Sequence, residues 1–354
     1  MKLAPLAFAL DAIGWRPTLI LTGQHPIAAG DFGLDGFRLV QLRCRGQEAP
    51  LAHVRDLARS LRPHLDASTP LLVVQGDTSS AMAGALVAGV AHVPVAHVEA
   101  GLRSHHSMHP WPEEGFRIAI DRRAQLLFAP TELNAANLRR ERVSGEVHVT
   151  GNTAIDALLS APSSPAARTE GGPAKLLVTC HRRENWSRGL ANLATALRQI
   201  TADLPVEISV VVHPNPALAA TTHRLLGDCE HVRILPPCDH PAILALMKES
   251  DLILSDSGGI QEEACALGIP LLVLRETTER PEAIVTGNMM LVGTDPQRII
   301  AAVGRLIQHP REFQRMRQPA FPFGDGHAAM RIAAIIDRCL SERLALPAVA
   351  TAAA

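Results

Sequence analysis

The sequence predicts an α/β protein with two βαβ domains, and three observations support this prediction. Short apolar runs rich in Val, Ile and Leu alternate with segments of helical length along nearly the whole chain. Continuous runs of this kind are typical of parallel strands that helices cover on both faces. The runs fall into two sets, and the chain of 354 residues is longer than a single hydrophobic core usually supports.

The apolar runs predict the strands of each domain in order. The first set is PTLILTG, PLLVVQG, VPVAHVEAG and AQLLFAPTE; the second is AKLLVTCHR, EISVVVHPNP, VRILPP, DLILSDSGG and IPLLVLRE. Between them, SAPSSPAARTEGGPA over residues 160–174 is rich in Pro, Ser, Ala and Gly and predicts a linker. The predicted domains therefore span residues 1–159 and 175–325.

The two ends of the chain have a different pattern. The N-terminal MKLAPLAFALDAIGW carries Asp11 and lacks a small-residue cleavage pattern, so it predicts an amphipathic helix rather than a signal peptide. Over residues 326–354, the amphipathic stretch MRIAAIIDRCLSERLAL predicts a helix that packs back against the body, followed by a disordered tail.

Composition excludes several classes of protein. With 34 basic and 35 acidic side chains, the chain has no basic excess to hold a nucleic acid. No apolar segment reaches the length of a membrane span. The six cysteines show no metal spacing and are expected to be reduced, mostly buried thiols of a cytoplasmic protein. The histidines of HHSMHP (His105, His106 and His109) lack a completing carboxylate or thiol, which favours a loop over a metal site.

Polar clusters follow five predicted strands at their carboxyl ends: QGDTSS, HVEAG, CHRREN, VHPNP and SDSGG. In open α/β sheets, ligands bind at that edge. In SDSGG, Ser257, Gly258 and Gly259 begin a helix whose unpaired N–H groups and positive dipole end suit an anion. Glu263, one turn later, suits sugar hydroxyls. The alternative is a tight turn in which Ser257 only caps the helix.

The remaining clusters carry opposite charges. His181, Arg182 and Arg183 in HRREN, with Arg280 in TTERPE, suit phosphate oxygens, although a solvated charged loop remains the alternative. In the first domain, Asp77, Glu99, Glu113 and Glu114 suit general acid–base chemistry, helped by burial and mutual repulsion, with helix capping as the alternative for Asp77. An anion-binding domain opposite an acidic domain fits a nucleotide sugar. These residues alone leave transfer, hydrolysis and isomerisation open.

The chain resembles the non-hydrolysing UDP-N-acetylglucosamine 2-epimerases. The matching segments run in family order from about residue 3 to 336: QGDTSSAMAGAL, PVAHVEAGLRS, PWPEEGFRIAIDRRA, FAPTE, VTGNTAIDAL, VTCHRREN, VHPNP, SDSGGIQEEACALGIPLLVLRETTERPEA, LVGTD and FPFGDG. The resemblance implies two Rossmann-like domains in the GT-B architecture, an active site in the interdomain cleft, a homodimer, and a cytoplasmic role in polysaccharide biosynthesis.

The resemblance also implies a reaction, namely reversible inversion at C2 that yields UDP-N-acetylmannosamine. In the family, a base removes the C2 proton, UDP leaves, and UDP adds back to a 2-acetamidoglucal after reprotonation on the other face, without a redox cofactor. Carried over by motif, the acid–base carboxylates are Asp77, Glu99 and Glu113, and His181 assists near the departing diphosphate. The substrate-binding residues would be Arg182, Ser257, Gly258, Gly259, Glu263 and Arg280.

Some segments depart from the family pattern. The family's first strand and its loop, close to FGTRPEAIK, have no counterpart before MKLAPLAFAL, so a central strand and a nucleotide-contacting arginine are expected to be absent. TGQHPI keeps Gln24 and His25 of a regulatory substrate site but has proline where the family has arginine. Phe116 and Phe323 stand where Asn and Tyr are frequent.

Three alternatives remain open at this stage. A hydrolysing epimerase would release free N-acetylmannosamine and UDP. A glycosyltransferase on the same fold would need an acceptor, since fold does not fix chemistry. A nucleotide-sugar binding protein would bind without turnover, and solvent deuterium would never enter C2.

Overall fold

The computed structural model describes residues 2–23, 29–44, 49–106, 110–160 and 172–345. The chain forms two compact units, one of Met1–Ala161 with Phe323–Ala354 and one of Pro162–Pro322. Within the expected linker and tail, residues 161–171 and 346–354 lie outside the described residues, as do Gln24, His25 and His109. The two units are called unit 1 and unit 2 below.

The described residues contain twelve strands, of which nine coincide with the predicted apolar runs. The strands missed by the prediction, β2, β6 and β12, are short, and β2 and β6 carry polar residues. The strands are β1 (Thr18–Leu21), β2 (Arg38–Gln41), β3 (Leu72–Gln75), β4 (Val95–Val98), β5 (Leu126–Ala129), β6 (Glu146–Val149), β7 (Ala174–Thr179), β8 (Val206–Val211), β9 (Val232–Leu235), β10 (Leu252–Ser255), β11 (Leu271–Val273) and β12 (Met289–Leu291).

Helices connect most of these strands. They are α1 (Ala4–Ala12), α2 (Pro50–Leu61), α3 (Ser79–Ala91), α4 (Glu113–Asp121), α5 (Glu132–Arg140), α6 (Thr153–Ser160), α7 (Arg188–Asp203), α8 (Pro216–Leu226), α9 (His240–Glu249), α10 (Gly258–Leu267), α11 (Glu282–Val285), α12 (Pro296–Gln308), α13 (Pro310–Met316) and α14 (Ala328–Ala345). In the described part of the chain, none of these helices is long and apolar enough to cross a bilayer.

Unit 1 contains two parallel sheets. One has the order β3-β4-β5-β6, and the other pairs β1 with β2. Helices α1 and α14 pack together over the larger sheet, where Leu6 and Leu10 meet Ile332 and Ile336 in one buried cluster. The C-terminal helix therefore contributes directly to the core of unit 1.

Unit 2 is built on one parallel sheet with the order β12-β11-β10-β7-β8-β9. Its central strands are buried along their length; Leu177, Val178, Ile253 and Leu254 are 0% exposed. Because helices cover both faces, the strands need apolar side chains at successive positions, which explains the continuous runs in the sequence. The predicted α/β class with parallel sheets is therefore what the chain forms.

Strand order brings the polar clusters together in pairs. In unit 1, β3 and β4 are neighbours, with Gln75 opposite Val98. In unit 2, β7 and β10 are neighbours, with Thr179 opposite Ser255. Since parallel strands end at the same edge of a sheet, the residues that follow each pair lie side by side. The thiols differ from the expectation, because only Cys265 is buried and the other five are half-buried.

Candidate active site

Asp77 lies just beyond the carboxyl end of β3, where Arg117 contacts it. The Arg117 guanidinium donates from Nε to Asp77 Oδ2 at 3.1 Å and from Nη1 to Glu114 Oε2 at 3.0 Å. Helix α3 is capped by Thr78, whose hydroxyl accepts a hydrogen bond from the Ala81 N–H at 3.2 Å. Because Thr78 is the cap, the capping alternative for Asp77 is wrong.

Glu99 follows β4 and is only 5% exposed. Its backbone has a φ of +68°, a conformation that non-glycine residues rarely adopt and that concentrates at functional sites. The Lys2 ammonium donates to both carboxylate oxygens, at 2.9 and 2.8 Å, and the Gln75 amide donates to Oε2. The carboxylate of Glu99 is thus held in place from two directions.

Glu113 is the first residue of α4, and its carboxylate is incompletely satisfied. Its Oε2 is buried and has no hydrogen-bond partner among the described residues. An orphaned buried acceptor is uncommon and requires an explanation, such as a catalytic role or a bound group. Arg117 follows four residues later on the same face of α4, so Glu113 lies on the face that contacts Asp77. Glu114 instead accepts the N–H groups of Ser104 and His105.

The observed contacts change the expected electrostatics of the carboxylates. Asp77 pairs with Arg117, and Glu99 pairs with Lys2. Each of these carboxylates therefore contacts a cation rather than a second carboxylate. Mutual repulsion is expected from the sequence, whereas the described contacts are ion pairs that hold each carboxylate in place.

In unit 2, the first turn of α10 leaves its N–H groups without a side-chain cap. Ser257 occupies the cap position, but its hydroxyl makes no capping hydrogen bond. Its backbone N–H donates instead to Ser255 Oγ at 3.0 Å. The alternative in which Ser257 caps the helix is therefore wrong, and the first turn of α10 retains the donors that bind anions at helix N-termini.

The two glycines of SDSGG differ in their surroundings. A Cβ on Gly258 would lie 2.7 Å from Nη1 of Arg280, so the guanidinium packs directly against this glycine. A Cβ on Gly259 would meet nothing within 4 Å. Gly258 is thus required by the packing of a buried side chain, and Gly259 faces open space.

Asp256 links the HRREN and SDSGG motifs of unit 2, a role that was not predicted from the sequence. Its carboxylate is 0% exposed and accepts the backbone N–H groups of His181 and Arg182 at 2.9 Å, and the Asn185 side-chain amide at 2.9 Å. A carboxylate that accepts several N–H bonds fixes the backbone around it. Asp256 therefore holds HRREN beside the start of α10.

Three arginines surround the buried carboxylate of Glu279. Arg275 Nη1 lies 2.7 Å from Glu279 Oε2, and Arg280 and Arg182 approach to 3.9 Å. Burial alone raises the pKa of Glu279, but these arginines hold it well below its usual range. Arg280 also pairs with Glu262 at 2.5 Å and is 6% exposed. Arg280 thus packs against the first turn of α10 and stabilises it.

The ring of His181 packs within an aromatic group. Its Nε2 lies 3.2 Å from the Val211 carbonyl oxygen, to which it donates, and its ring meets that of His213 edge to face at 5.4 Å. Trp186 donates from Nε1 to the His181 carbonyl oxygen at 3.0 Å. HRREN is therefore a packed segment rather than a fully solvated loop, although Arg183 is exposed.

Glu263 lies on the first turns of α10 and is 4% exposed. His240, the first residue of α9, lies with Nε2 2.7 Å from Glu263 Oε1. No sequence motif pointed to His240. In the described ranges, no group of three His, Cys, Asp or Glu residues is arranged to hold a metal ion.

Comparison with known proteins assigns the chain to a family. The model of the UDP-N-acetylglucosamine 2-epimerase family matches residues 10–337. The chain belongs to this family. A UDP-N-acetylglucosamine 2-epimerase of Escherichia coli (strain K12) is 42% identical over 363 residues, which cover 94% of each chain.

Solved structures of epimerases agree with this assignment. The UDP-GlcNAc 2-epimerase from Neisseria meningitidis, bound to UDP-GlcNAc, matches with a TM-score of 0.85 at 30% identity and covers 95% of this chain and 96% of that chain. The Methanocaldococcus jannaschii UDP-GlcNAc 2-epimerase, in complex with UDP-GlcNAc and UDP, gives 0.82 at 31% identity, with coverage of 95% and 96%. The resemblance found in the sequence and the predicted α/β fold are therefore confirmed.

The site residues predicted from the sequence fall into two groups. Unit 1 brings Asp77, Glu99 and the start of α4 together at one sheet edge, and unit 2 does the same for HRREN and SDSGG. Arg117 could have been predicted from the sequence, because it lies four residues after Glu113 on a helix and so shares its face. Lys2 could not, because it lies 97 residues from its partner Glu99.

Proposed function

We propose that this chain is a non-hydrolysing UDP-N-acetylglucosamine 2-epimerase that reversibly forms UDP-N-acetylmannosamine. The observation that carries the proposal is the grouping of Asp77, Glu99 and the orphaned Glu113 carboxylate at one edge of unit 1, in a chain of this family. We place the reaction in the cytoplasm, where its six cysteine thiols would stay reduced.

The proposed reaction begins with a carboxylate that removes the C2 proton. The C2–H electron pair forms the C1=C2 bond of a 2-acetamidoglucal, and the C1–O pair leaves with UDP. A second acid then returns a proton to C2 from the opposite face as UDP adds back at C1. The three carboxylates divide these roles. No electrons are gained or lost overall, so the chemistry requires no redox cofactor.

Unit 2 would bind the diphosphate and stabilise its departure. Negative charge grows on the diphosphate as the C1–O bond breaks, and donors aimed at that charge favour the transition state over the ground state. The uncapped first turn of α10, with Ser257, Gly258 and Gly259, supplies backbone donors. A charge at a helix N-terminus gains about 0.3–1 kcal/mol when exposed and up to ~2 kcal/mol when partly buried.

Side chains of unit 2 would complete the nucleotide site. Arg182 and His181 lie at the strand end that borders α10, and Asp256 fixes both of their backbones. Arg280 would add its positive charge from behind Gly258. Glu263, oriented by His240, would accept hydrogen bonds from the ribose hydroxyls.

The reaction products test the proposal. Full-length protein incubated with UDP-N-acetylglucosamine should yield UDP-N-acetylmannosamine as the main new sugar in NMR spectra. The mixture should approach the same ratio from either epimer. Free N-acetylmannosamine with stoichiometric UDP would instead identify a hydrolysing enzyme and overturn the non-hydrolysing proposal.

Paired glycine substitutions test the helix N-terminus. Gly258→Ala should lower the thermal stability of the ligand-free protein, because the new Cβ would meet the Arg280 guanidinium at 2.7 Å. Gly259→Ala should leave it unchanged or raise it, since open space receives the methyl group and alanine is the better helix former, by about 0.5–1 kcal/mol. Gly259→Ala should nevertheless weaken UDP binding at least tenfold in calorimetry. Unchanged UDP affinity in Gly259→Ala would show that the diphosphate does not bind at this helix end.

We also propose that the protein works as a homodimer. Support comes from exposed apolar residues of α2 and α3 in unit 1, where Leu51 is 66% and Val90 is 63% exposed beside a groove of about 500 Å³. Apolar side chains this exposed, next to a groove, are typical of interaction surfaces. Sedimentation velocity should give twice the chain mass of 37.9 kDa. A monomer at all concentrations tested would contradict the proposal.

A further inference from the structure

A chain of charged groups, buried except for Glu141 at its end, runs behind the carboxylates of unit 1. His97 in β4 and Asp121 at the end of α4 are both 0% exposed, and His97 Nδ1 lies 2.6 Å from Asp121 Oδ1. Asp121 Oδ2 lies 2.8 Å from Arg103, which in turn pairs with Glu141 at 2.7 Å. None of these four side chains belongs to the carboxylate and anion sites described above.

Both ring nitrogens of His97 face oxygen atoms. Nδ1 faces the Asp121 carboxylate, and Nε2 lies 2.9 Å from the carbonyl oxygen of Gly76. A carbonyl oxygen can only accept, so Nε2 must carry a proton. Asp121 is ionised because it pairs with Arg103, and a bare Nδ1 lone pair facing that buried carboxylate would be repelled. The geometry therefore requires a proton on Nδ1 as well.

The hydrogen bond from His97 to Gly76 acts directly on Asp77. The Gly76 carbonyl belongs to the planar peptide group that joins Gly76 to Asp77. A hydrogen bond to its oxygen therefore fixes the orientation of the peptide plane that precedes the Asp77 Cα. Gly76 has a φ of +68°, and its N–H donates to the Val98 carbonyl oxygen at 3.0 Å. The turn that presents Asp77 is thus held on both sides by β4, the strand that leads into Glu99.

One face of α4 collects these interactions. Glu113, Arg117 and Asp121 are spaced by four residues each, so they form a single stripe along the helix. Arg117 binds the Asp77 side chain, and Asp121 binds the imidazole that holds the Asp77 backbone. The position of Asp77 relative to Glu113 is therefore set by two ion pairs to the same helix.

We propose that His97 is an imidazolium over the working pH range and is a positioning residue that holds Asp77 for proton transfer at C2. The positioning role rests on the proposed function, whereas the charge state of His97 does not. Three groups act on the ring directly: the Asp121 carboxylate of α4, and the Gly76 carbonyl and Asp77 carboxylate of the turn after β3. The Arg103 guanidinium acts through its ion pair with Asp121.

The pKa values of the pair agree in direction with this geometry. Burial on its own lowers the pKa of His97, but the Asp121 charge and hydrogen bond, with Gly76 and Asp77, raise it above its usual 6.5. Burial alone raises the pKa of Asp121, but His97 and Arg103 lower it below its usual 3.8. Stability from His97 is fully present below about pH 6.5 and is lost as pH rises through its folded pKa; stability from Asp121 is present above 3.8 and is lost as pH falls through its folded pKa.

NMR of the full chain labelled with ¹⁵N-histidine tests the charge state. At pH 8.0, the His97 ring, assigned by its loss in His97→Gln, should show a proton on both nitrogens. Urea unfolding between pH 5 and 9 should show the stability difference between wild type and His97→Phe shrinking as the pH rises above about 6.5. A ring that carries a proton on Nε2 alone at pH 8.0 would overturn the imidazolium assignment.

Deuterium exchange at C2 tests the positioning role. His97→Phe should lower the exchange rate about 100-fold, because misplacing a reacting group by about 1 Å costs this much. His97→Gln keeps one donor for Gly76 and should lose about tenfold, while UDP affinity stays within threefold in both variants. The control His53→Phe replaces another buried histidine, 4% exposed and without hydrogen bonds from either ring nitrogen among the described residues, and should leave exchange within twofold.

The outcomes separate this inference from the proposed function. An exchange rate in both His97 variants equal to that of the wild type would overturn the positioning role and leave the proposed function intact. Absence of exchange in the wild type would overturn the proposed function and the positioning role together, and the NMR experiment would still decide the charge state. If His97→Phe fails to fold, as judged by lost UDP binding, His97→Gln decides.

Discussion

Replacing Asp77 by Asn or Glu99 by Gln should lower epimerisation by about 10²- to 10⁴-fold each, the range that general acid–base groups contribute. Both side chains keep their size, so the loss reports the missing carboxylate rather than a cavity. The double variant should be close to inactive, although the two effects need not add because the residues act as a unit. Turnover is measured by NMR with UDP-N-acetylglucosamine.

UDP binding separates catalysis from folding in these variants. The nucleotide contacts proposed for unit 2 are untouched, so calorimetry should give a UDP affinity within twofold of the wild type. Glu132→Gln in α5 is the matched control, since the side chain of Glu132 is 77% exposed and its contact with Arg139 is a surface ion pair. Normal turnover in the double variant would show that these carboxylates do not carry the reaction.

Asp256→Asn should weaken UDP binding about 10- to 100-fold and reduce turnover with it. An amide replaces one acceptor oxygen by an N–H group, which would then face the donors of His181, Arg182 or Asn185. Hydrogen bonds to a charged group contribute about 1.5–3 kcal/mol, and a tenfold change in affinity corresponds to about 1.4 kcal/mol. Loss of one such contact is enough to release HRREN from its place beside α10.

Asp295→Asn provides the control for Asp256 in the same unit. Asp295 caps α12 by accepting the Arg298 N–H at 3.0 Å, and asparagine caps helices about as well as aspartate. UDP affinity and thermal stability should both remain at wild-type levels in this variant. Wild-type UDP affinity in Asp256→Asn would contradict the role given to this carboxylate.

The fold could be predicted from the sequence because its central strands are buried on both faces. Residues such as Leu177 and Ile253 sit in continuous apolar runs that only a covered parallel sheet requires. Two of the three missed strands lack this signal: β2 is exposed at three of its four residues, and β6 at both ends. The third, β12, is apolar but only three residues long. Edge strands of this kind leave no apolar run in the sequence.

The site residues could be predicted from the sequence only where they directly follow a strand. Asp77, Glu99 and SDSGG follow strands directly, so topology alone brings them to two sheet edges. Their supports come from distant parts of the chain: Lys2 reaches Glu99 across 97 residues, and Asp256 reaches His181 across 75. Such contacts depend on tertiary packing, and no local sequence pattern predicts them.

The interpretation of Ser257 as a helix cap was wrong for a local reason. Ser257 has the residue type of a helix cap, but its hydroxyl makes no capping bond, which leaves the first turn of α10 available to an anion. Gly258 also has a packing role that its residue type did not indicate, because the space at its Cβ position is taken by Arg280. Residue type alone therefore does not identify the groups that contact this turn.

Deuterium incorporation at C2 tests most directly whether carboxylates of unit 1 move that proton. The full chain is incubated with UDP-N-acetylglucosamine in D₂O, and the C2 proton signal is followed by NMR. We expect the signal to vanish from both epimers at a rate that Asp77→Asn with Glu99→Gln reduces at least 100-fold. Binding of UDP-N-acetylglucosamine without deuterium entering C2, or equal incorporation by the double variant, would contradict the account.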